Sequence, residues 1–166
     1  MNGSIVQRNG RNLEVYVRDL AIEAGLDAIR QYKPKGVKTL FASVLPYEIV
    51  GNKGQLAIDV FIRPCDRFPA GLGIEVTEQN ASGSGAHKMP HRVETIKQCY
   101  PCPGLLVIGK RKGFDPYFAV EWAQLQVDGI RLIDVMELSD YKRFLGLSDC
   151  VETKAVSQMD FKEMVD

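Results

Sequence analysis

The sequence predicts a three-layer α/β fold, in which helices cover both faces of a largely apolar sheet. Three observations indicate this fold class: an amphipathic helical stretch near the N-terminus, three short apolar runs closed by turn residues, and alternating helical and strand patterns beyond them. The chain has 166 residues, of which 45% are apolar and 25% charged. This length suits one globular domain of ordinary size, so we expect residues 1–166 to form a single domain.

The N-terminal half predicts one helix followed by three strands. Leu13, Val17 and Leu20 belong to an apolar stripe with steps of three and four residues, which predicts a helix over residues 12–32. Extended runs rich in Val, Ile, Leu and Phe follow at 37–45, 55–62 and 71–79, separated by Pro and Gly residues. With no helical pattern between them, these runs predict an antiparallel meander.

The second half predicts a helix, a strand and a small C-terminal αβ extension. Pro90 suits the first turn of a helix whose Met89, Val93 and Ile96 share one face. Residues 105–109 predict a fourth strand and residues 130–135 a further one. Ser, Asp and Pro residues that suit helix starts stand before the remaining short helical patterns: Asp115 and Pro116, Ser139, and Ser157.

Charge excludes a globally basic, nucleic-acid-coating protein but leaves room for a local basic surface. The 21 Lys and Arg residues balance the 21 Asp and Glu residues. Bases nevertheless concentrate in one segment, where they predict contacts with phosphates: Lys88, Arg92, Lys97, Lys110, Arg111 and Lys112. The sequence has no signal-like N-terminal apolar run and no stretch long enough for a membrane span, which predicts a cytoplasmic protein without membrane contact.

Two short motifs invite a zinc interpretation. Cys99 and Cys102 form a CxxC pair, which suits half of a zinc site or a redox pair, but no second pair completes it. Ordinary buried thiols are the favoured interpretation. His87 and His91 are four residues apart, but Pro90 stands between them at the predicted helix start, so they need not share a helical face.

Two acids on neighbouring predicted strands indicate a metal site. Glu75, Thr77 and Gln79 alternate along one face of the third strand, and Asp59 is the single acid in the apolar run 56–62. A buried carboxylate is unfavourable unless it is paired or binds a cation. If the strands are neighbours, Asp59 and Glu75 converge, and Mg²⁺ accepts such a pair together with waters. The alternative places Asp59 at a fraying edge and Glu75 on a solvated face.

Together these segments resemble the PD-(D/E)XK nuclease superfamily, the restriction-endonuclease-like fold. The similarity rests on Asp59, on the stretch IEVTEQ at 74–79, and on SGSGAHKMP at 82–90. It is greatest to members whose third strand reads E-x-K-x-Q and leads through a Ser-Gly turn to a Lys and a Pro. The resemblance covers roughly residues 12–124. It implies a three-layer restriction-endonuclease-like core of helix, antiparallel meander, helix and strand, in agreement with the element order above.

The resemblance also implies an activity, a cofactor and a partner. The activity is hydrolysis of phosphodiester bonds in double-stranded DNA by an endonuclease, most plausibly of the restriction or homing type, that uses Mg²⁺ or Mn²⁺. Asp59 and Glu75 are the implied metal ligands, with the carbonyl of Val76. Gln79 is implied to steady the site, and Glu14 matches an additional acid that some members carry. Cutting both strands implies a homodimer or a higher homo-oligomer.

This sequence departs from the family motif at one position. Thr77 stands where the motif has Lys, and a Thr side chain cannot place positive charge beside the attacking water or the phosphate. Losing one such contact typically slows a reaction by about 10²–10³-fold. Lys88 is the substitute candidate, and a DNA-backbone contact or a solvated charge is its alternative role. Two function classes follow: an active endonuclease, or a weak or inactive nuclease-fold module for DNA binding or assembly.

Overall fold

The computed structural model describes residues 2–40, 54–79, 84–110 and 117–147, with side chains outside that description at 2–12, 79, 84–88, 110 and 117–119. These residues form an α/β fold on one mixed, five-stranded sheet. In chain order the elements are α1 (Asn2–Glu23), β1 (Ala28–Tyr32), β2 (Ile58–Ile62), β3 (Leu72–Gln79), α2 (Ser84–Cys99), β4 (Gly104–Lys110), α3 (Tyr117–Gln124), β5 (Leu132–Glu137) and α4 (Leu138–Phe144).

The sheet combines an antiparallel meander with a parallel half. Its strand order is β1-β2-β3-β4-β5. Strand β2 pairs antiparallel with β1 and β3, whereas β4 pairs parallel with β3 and β5. The predicted order of helix, meander, helix and strand is therefore confirmed. The C-terminal αβ pair is part of the core, because β5 joins the same sheet and α4 packs against β4 and β5.

The first helix ends earlier than its apolar stripe predicts. Gly25 has φ +85°. The N–H of Leu26 donates to the carbonyl of Ala21 at 3.0 Å, and the N–H of Gly25 donates to that of Ile22 at 2.9 Å. This pattern is a Schellman motif, in which a left-handed residue closes the helix. The predicted helix over 12–32 was wrong beyond Glu23, because Gly25 stops it.

The chain after this stop forms the first strand of the meander. Strand β1 occupies the place that the sequence assigned to residues 37–45. Of that predicted strand, residues 41–45 lie outside the described residues, and residues 37–40 form no strand, although Lys38 makes an isolated antiparallel bridge with Gln55. The meander was thus predicted correctly, but its first strand was placed too late in the chain.

Two predicted helix starts also differ from the structure. Helix α2 begins at Ser84, so Pro90 lies inside it rather than in its first turn. A proline there has no N–H to donate to the preceding turn, and the helix continues past this gap on its buried apolar face. Helix α4 begins at Leu138 with Glu137 as its N-cap residue, so Ser139 is inside the helix and does not cap it. Asp115, Pro116 and Ser157 lie outside the described residues.

Helices cover both faces of the sheet, as a three-layer fold requires. On one face, α2 and α3 pack against buried residues that include Ile58, Leu106 and Ile108. On the other face, α1 and α4 pack against residues that include Val60, Ile74 and Leu105. Burying an aliphatic side chain of this size contributes about 1.5–3 kcal/mol, so the two apolar layers fix the sheet between the helices.

Candidate active site between strands β2 and β3

Asp59 lies where strands β1 and β2 both depart from regular alternation. Ile58 and Tyr32 pair with each other and pack on the α2 face, whereas Val60 packs on the α1 face. Residues two apart in a strand normally share a face, so Asp59 marks a switch of faces. Gln31, which stands between the paired residues of β1, has φ +51°. One irregular residue in each strand keeps the register while it changes the direction of the Asp59 side chain.

The side chain of Asp59 takes the place of a ladder contact between β2 and β3. Pairing of these strands runs only as far as Val60 and Ile74. Beyond that point, the backbone N–H of Val76 donates to Oδ2 of Asp59 at 2.9 Å. No described residue donates to Oδ1. The carboxyl group therefore lies in the gap between two diverging strands, with one oxygen open to another ligand.

Burial makes Asp59 a strongly perturbed acid. The pKa of Asp59 is raised from 3.8 to about 8, mainly by desolvation and then by the neighbouring Glu75 carboxylate, while the hydrogen bond from the Val76 N–H opposes the increase. Glu14 adds to the rise and Arg92 lowers it. A pKa of about 8 favours the protonated form of this carboxyl group at neutral pH, because the fold keeps water from the charged form. A cation at Asp59 would reverse that preference.

Glu75 is the second buried acid, and both of its oxygens are hydrogen-bonded. Arg92 Nη1 donates to Oε1 at 2.6 Å, and the hydroxyl of Tyr100 donates to Oε2 at 2.7 Å. The Glu75 side chain is only 13% exposed. Burial raises the pKa of Glu75, although the Arg92 charge and the Tyr100 hydrogen bond oppose the increase. Glu75 is therefore held in one orientation by a helix on one side and a buried phenol on the other.

Tyr100 is a site residue that sequence reasoning missed. Its ring lies over Gly73 and Gly104: a Cβ added at Gly73 would be 2.7 Å from the ring carbons. Burial raises the pKa of the Tyr100 hydroxyl well above its ordinary value, and the Glu75 carboxylate adds to this, so the hydroxyl stays a donor. The sequence signal that could have identified Tyr100 is its position between the two cysteines of the CxxC motif, Cys99 and Cys102.

The two cysteines of the CxxC motif are free thiols, and burial raises the pKa of each. These properties agree with the favoured interpretation of the pair as ordinary thiols.

Glu14 reaches the same region from the α1 face. Its Oε2 accepts hydrogen bonds from Arg30 at 2.8 Å and from Gln31 at 2.9 Å. The Glu14 side chain is 16% exposed, and its charge raises the pKa of both Asp59 and Glu75. The structure thus places Glu14 near the two strand acids and ties it to the irregular residue of β1. Arg30 and Gln31 were missed because the sequence assigned them to the first helix.

Of the remaining motif residues, two have described side chains and two do not. Thr77 is buried, 4% exposed, on the same side of β3 as Glu75. Val76 gives its N–H to Asp59, while its side chain joins the apolar layer under α1. Gln79 ends β3 and Lys88 lies in the first part of α2, but both side chains are outside the described residues. For Gln79 and Lys88 the site roles stay predictions.

Two residues of the predicted basic surface in α2, Arg92 and Lys97, have described side chains. Arg92 turns towards Glu75, and Lys97 lies near Asp128, whose pKa its charge helps to lower. Lys110 ends β4 with its side chain outside the described residues, as are Arg111 and Lys112. Among the described side chains of this set, Lys97 is therefore the one that does not contact the acids. Phosphate binding by the group stays a prediction.

A pocket of about 340 Å³ opens beside Glu75. Residues from the chain before β2 and from one side of α2 line it: Thr39, Gln55, Leu56, Ala57, Glu75, His91, Arg92 and Thr95. His91 is exposed and shares this wall with Arg92. Glu75 is therefore accessible from the α2 face, and a ligand that enters the pocket also meets the side chain of Arg92.

The two acids fit a divalent metal ion. Mg²⁺ commonly takes one or two carboxylates and keeps several waters, so two acids are sufficient. Asp59 and Glu75 are buried, and burial raises the pKa of each, so a cation beside them would stabilise their charged forms. Across the described part of the chain, no cluster of three or more His, Cys, Asp or Glu residues could hold a metal. The fit is thus to an ion that retains water, and no zinc cage is found there.

Comparison with known proteins places the chain in a family. A family model described as the PD-(D/E)XK nuclease superfamily domain matches residues 6–151. No curated protein and no solved structure matches the chain significantly. Domains of this superfamily act on nucleic acids and generally use divalent metals. Within the described residues, no helix has the length and apolar character needed to cross a membrane. The chain belongs to the PD-(D/E)XK nuclease superfamily.

Proposed function

We propose that this protein is a divalent-metal-dependent endonuclease that hydrolyses phosphodiester bonds of double-stranded DNA. One observation carries the proposal: Asp59 and Glu75 lie partly buried beside each other where the pairing of β2 and β3 ends, and desolvation raises the pKa of each. Two acids in that position destabilise the protein when both are ionised without a cation. Metal binding would explain why the protein has two acids at this position, since the fold itself does not need them.

Each described residue of the site has a proposed role. Asp59 and Glu75 hold Mg²⁺, or Mn²⁺ in its place, with the Val76 carbonyl as a further ligand. An ion bound there lowers the pKa of a water molecule and stabilises charge on a phosphoryl oxygen. The Val76 N–H and the Tyr100 hydroxyl orient the two carboxylates. Such orienting contacts strongly influence metal affinity.

The DNA substrate and the assembly are parts of the same proposal. Lys97, together with the basic residues Lys110, Arg111 and Lys112, would neutralise phosphates of the DNA backbone. Cutting both strands of a duplex requires two sites, so we propose a homodimer or a higher homo-oligomer, of the restriction or homing type. Sedimentation that finds only a monomer at working concentration, with duplex cleavage intact, would contradict the assembly.

Thr77 favours a second candidate, a weak or inactive nuclease-fold module for DNA binding or assembly. A buried hydroxyl replaces the cation of the family motif, and no positive charge arises from β3 at that point. This candidate predicts salt-dependent DNA binding with no cleavage, even when the protein is saturated with Mn²⁺.

Cleavage of supercoiled and linear duplex DNA tests the first candidate. The parent protein is incubated with Mg²⁺ or Mn²⁺ beside Asp59→Asn and Glu75→Gln, with Asp66→Asn as the matched control because Asp66 is exposed and outside the site. We expect the parent and the control to cut and both site variants to lose at least about 10²-fold in rate. Equal cutting by the parent and Asp59→Asn would contradict the proposal, and so would an uncut substrate in every sample.

A further inference from the structure

The geometry points to Arg92 as the residue that supplies the positive charge missing at Thr77, by contacting the scissile phosphate. This inference rests on the proposed nuclease function and adds a catalytic residue to it. In the structure, the guanidinium group of Arg92 contacts Glu75 directly, from helix α2. Arg92 thereby approaches the acids from the helix above the sheet, while Thr77 lies within strand β3.

The contact between Arg92 and Glu75 fixes the position of the cation. Nη1 of Arg92 and Oε1 of Glu75 are 2.6 Å apart, and the Arg92 side chain is 25% exposed. Thr77 is two residues beyond Glu75 on the same face of β3. A cation held on Glu75 is therefore close to the place that a side chain of residue 77 would reach. The site therefore contains a positive charge, which comes from Arg92 of α2 and not from β3.

Arg92 has donors to spare. A guanidinium group carries five N–H donors, of which Nη1 serves Glu75. The Nε atom is buried, and no described residue accepts its hydrogen. Buried donors without a partner are unfavourable, and an anion placed against the free edge would satisfy them. Phosphate oxygens match this planar fork in a bidentate arrangement.

The pocket provides the route for that anion. Arg92 and Glu75 both line the 340 Å³ pocket, with Thr95 and His91 on the same wall. A phosphate that enters it approaches Glu75 and the Arg92 side chain together. Arg92 then stabilises the negative charge that develops on the phosphoryl oxygen, while Asp59 and Glu75 hold the metal.

Lys88 is the competing candidate for this charge. It lies one helical turn before Arg92 in α2, carries the same charge and was the substitute that the sequence suggested. If Arg92 supplies the charge, Arg92→Met lowers the cleavage rate by about 10²–10³-fold and Lys88→Met has a much smaller effect. Arg92→Lys, which keeps the charge but lacks the fork, falls between them. The double variant Thr77→Lys/Arg92→Met regains activity relative to Arg92→Met, because the charge returns from the strand.

A sulfur substitution separates contact with the phosphate from mere positioning of Glu75. After the cut position has been mapped, each phosphorothioate stereoisomer is placed at the scissile phosphate, and the parent is compared with Arg92→Met. We expect one stereoisomer to slow cleavage by the parent by a larger factor than it slows cleavage by Arg92→Met. The reason is that Arg92→Met has already lost the contact with the substituted phosphate oxygen. Mn²⁺ binding at pH 9 is measured on both proteins and is expected to agree within about threefold.

The outcomes distinguish this inference from the proposed function. If the parent cuts and Arg92→Met cuts equally well, Arg92 is not the cation, and the nuclease proposal stands. Arg92 is a positioning residue, and the inference is overturned, if both stereoisomers slow both proteins equally. The same conclusion follows if Arg92→Met and Arg92→Lys lose Mn²⁺ binding. A parent protein that cuts no DNA under any metal overturns both proposals.

Discussion

The protonation state of Asp59 is expected to control metal binding near neutral pH. The metal binds the ionised carboxylate, but burial raises the Asp59 pKa to about 8, so the group must lose a proton first. The ionised fraction is roughly 0.01 at pH 6, 0.5 at pH 8 and 0.9 at pH 9, because each pH unit below the pKa is a tenfold change. Mn²⁺ affinity should therefore rise about 50-fold between pH 6 and pH 8 and level off above pH 9.

Calorimetric titration of the protein with Mn²⁺ measures this coupling. Titrations at several pH values, in buffers of different ionisation enthalpy, give both the affinity and the number of protons released. We expect about one proton to be released per ion at pH 6–7 and fewer at pH 9. Asp66→Asn, at an exposed position, should match the parent, and Asp59→Asn should bind weakly without proton release. An affinity that is constant from pH 6 to pH 9 would refute the reasoning.

Three further predictions concern stability. In the metal-free protein the Asp59 pKa is about 8 when folded and near 3.8 when unfolded, so the stabilisation is present below pH 4 and is lost as the pH rises towards 8. The melting temperature in EDTA should fall over that range, and it should fall less steeply in Asp59→Asn, where only the raised pKa of Glu75 contributes. Tyr100→Phe removes the hydrogen bond to Glu75 and should lower the free energy of unfolding by about 1–3 kcal/mol in urea; an unchanged midpoint would contradict this. Gly73→Ala places a Cβ 2.7 Å from the Tyr100 ring and should lower the free energy of unfolding by about 1–3 kcal/mol. Gly129→Ala is the comparison: no heavy atom lies within 4 Å of the added Cβ, so it measures only the strain of a side chain at φ +73°.

The acids were predictable because they interrupt strong strand patterns. A single Asp in the apolar run of β2 and a polar alternation in β3 are local signals, and the hairpin between these strands brings them together. The layer order was predictable for the same reason, since each apolar run is short and bounded by turn residues. Features that depend on a local pattern, such as the acids and the layer order, could therefore be predicted from the sequence alone.

The contacts that orient those acids were not predictable. Arg92 and Tyr100 reach Glu75 from 17 and 25 residues away, and no spacing rule links them to it. Strand β1 was hidden because Ala24 and Ala28 continue the helical period across Gly25, and the left-handed φ at Gly25 outweighed that period. The opposite error, at Pro90, arose because burial of Met89, Val93 and Ile96 kept the helix continuous through a residue that usually begins one.

The paired irregularity at Gln31 and Asp59 limits which sequence changes the sheet tolerates. Deleting either residue alone would shift its strand by one position against the partner and turn the apolar side chains beyond it to the wrong layer. Deleting both would restore two regular strands but remove the acid. Substitution at Asp59 leaves the register intact. The site can therefore lose its chemistry by a point change without losing its shape, whereas a change of chain length at this place threatens the fold itself.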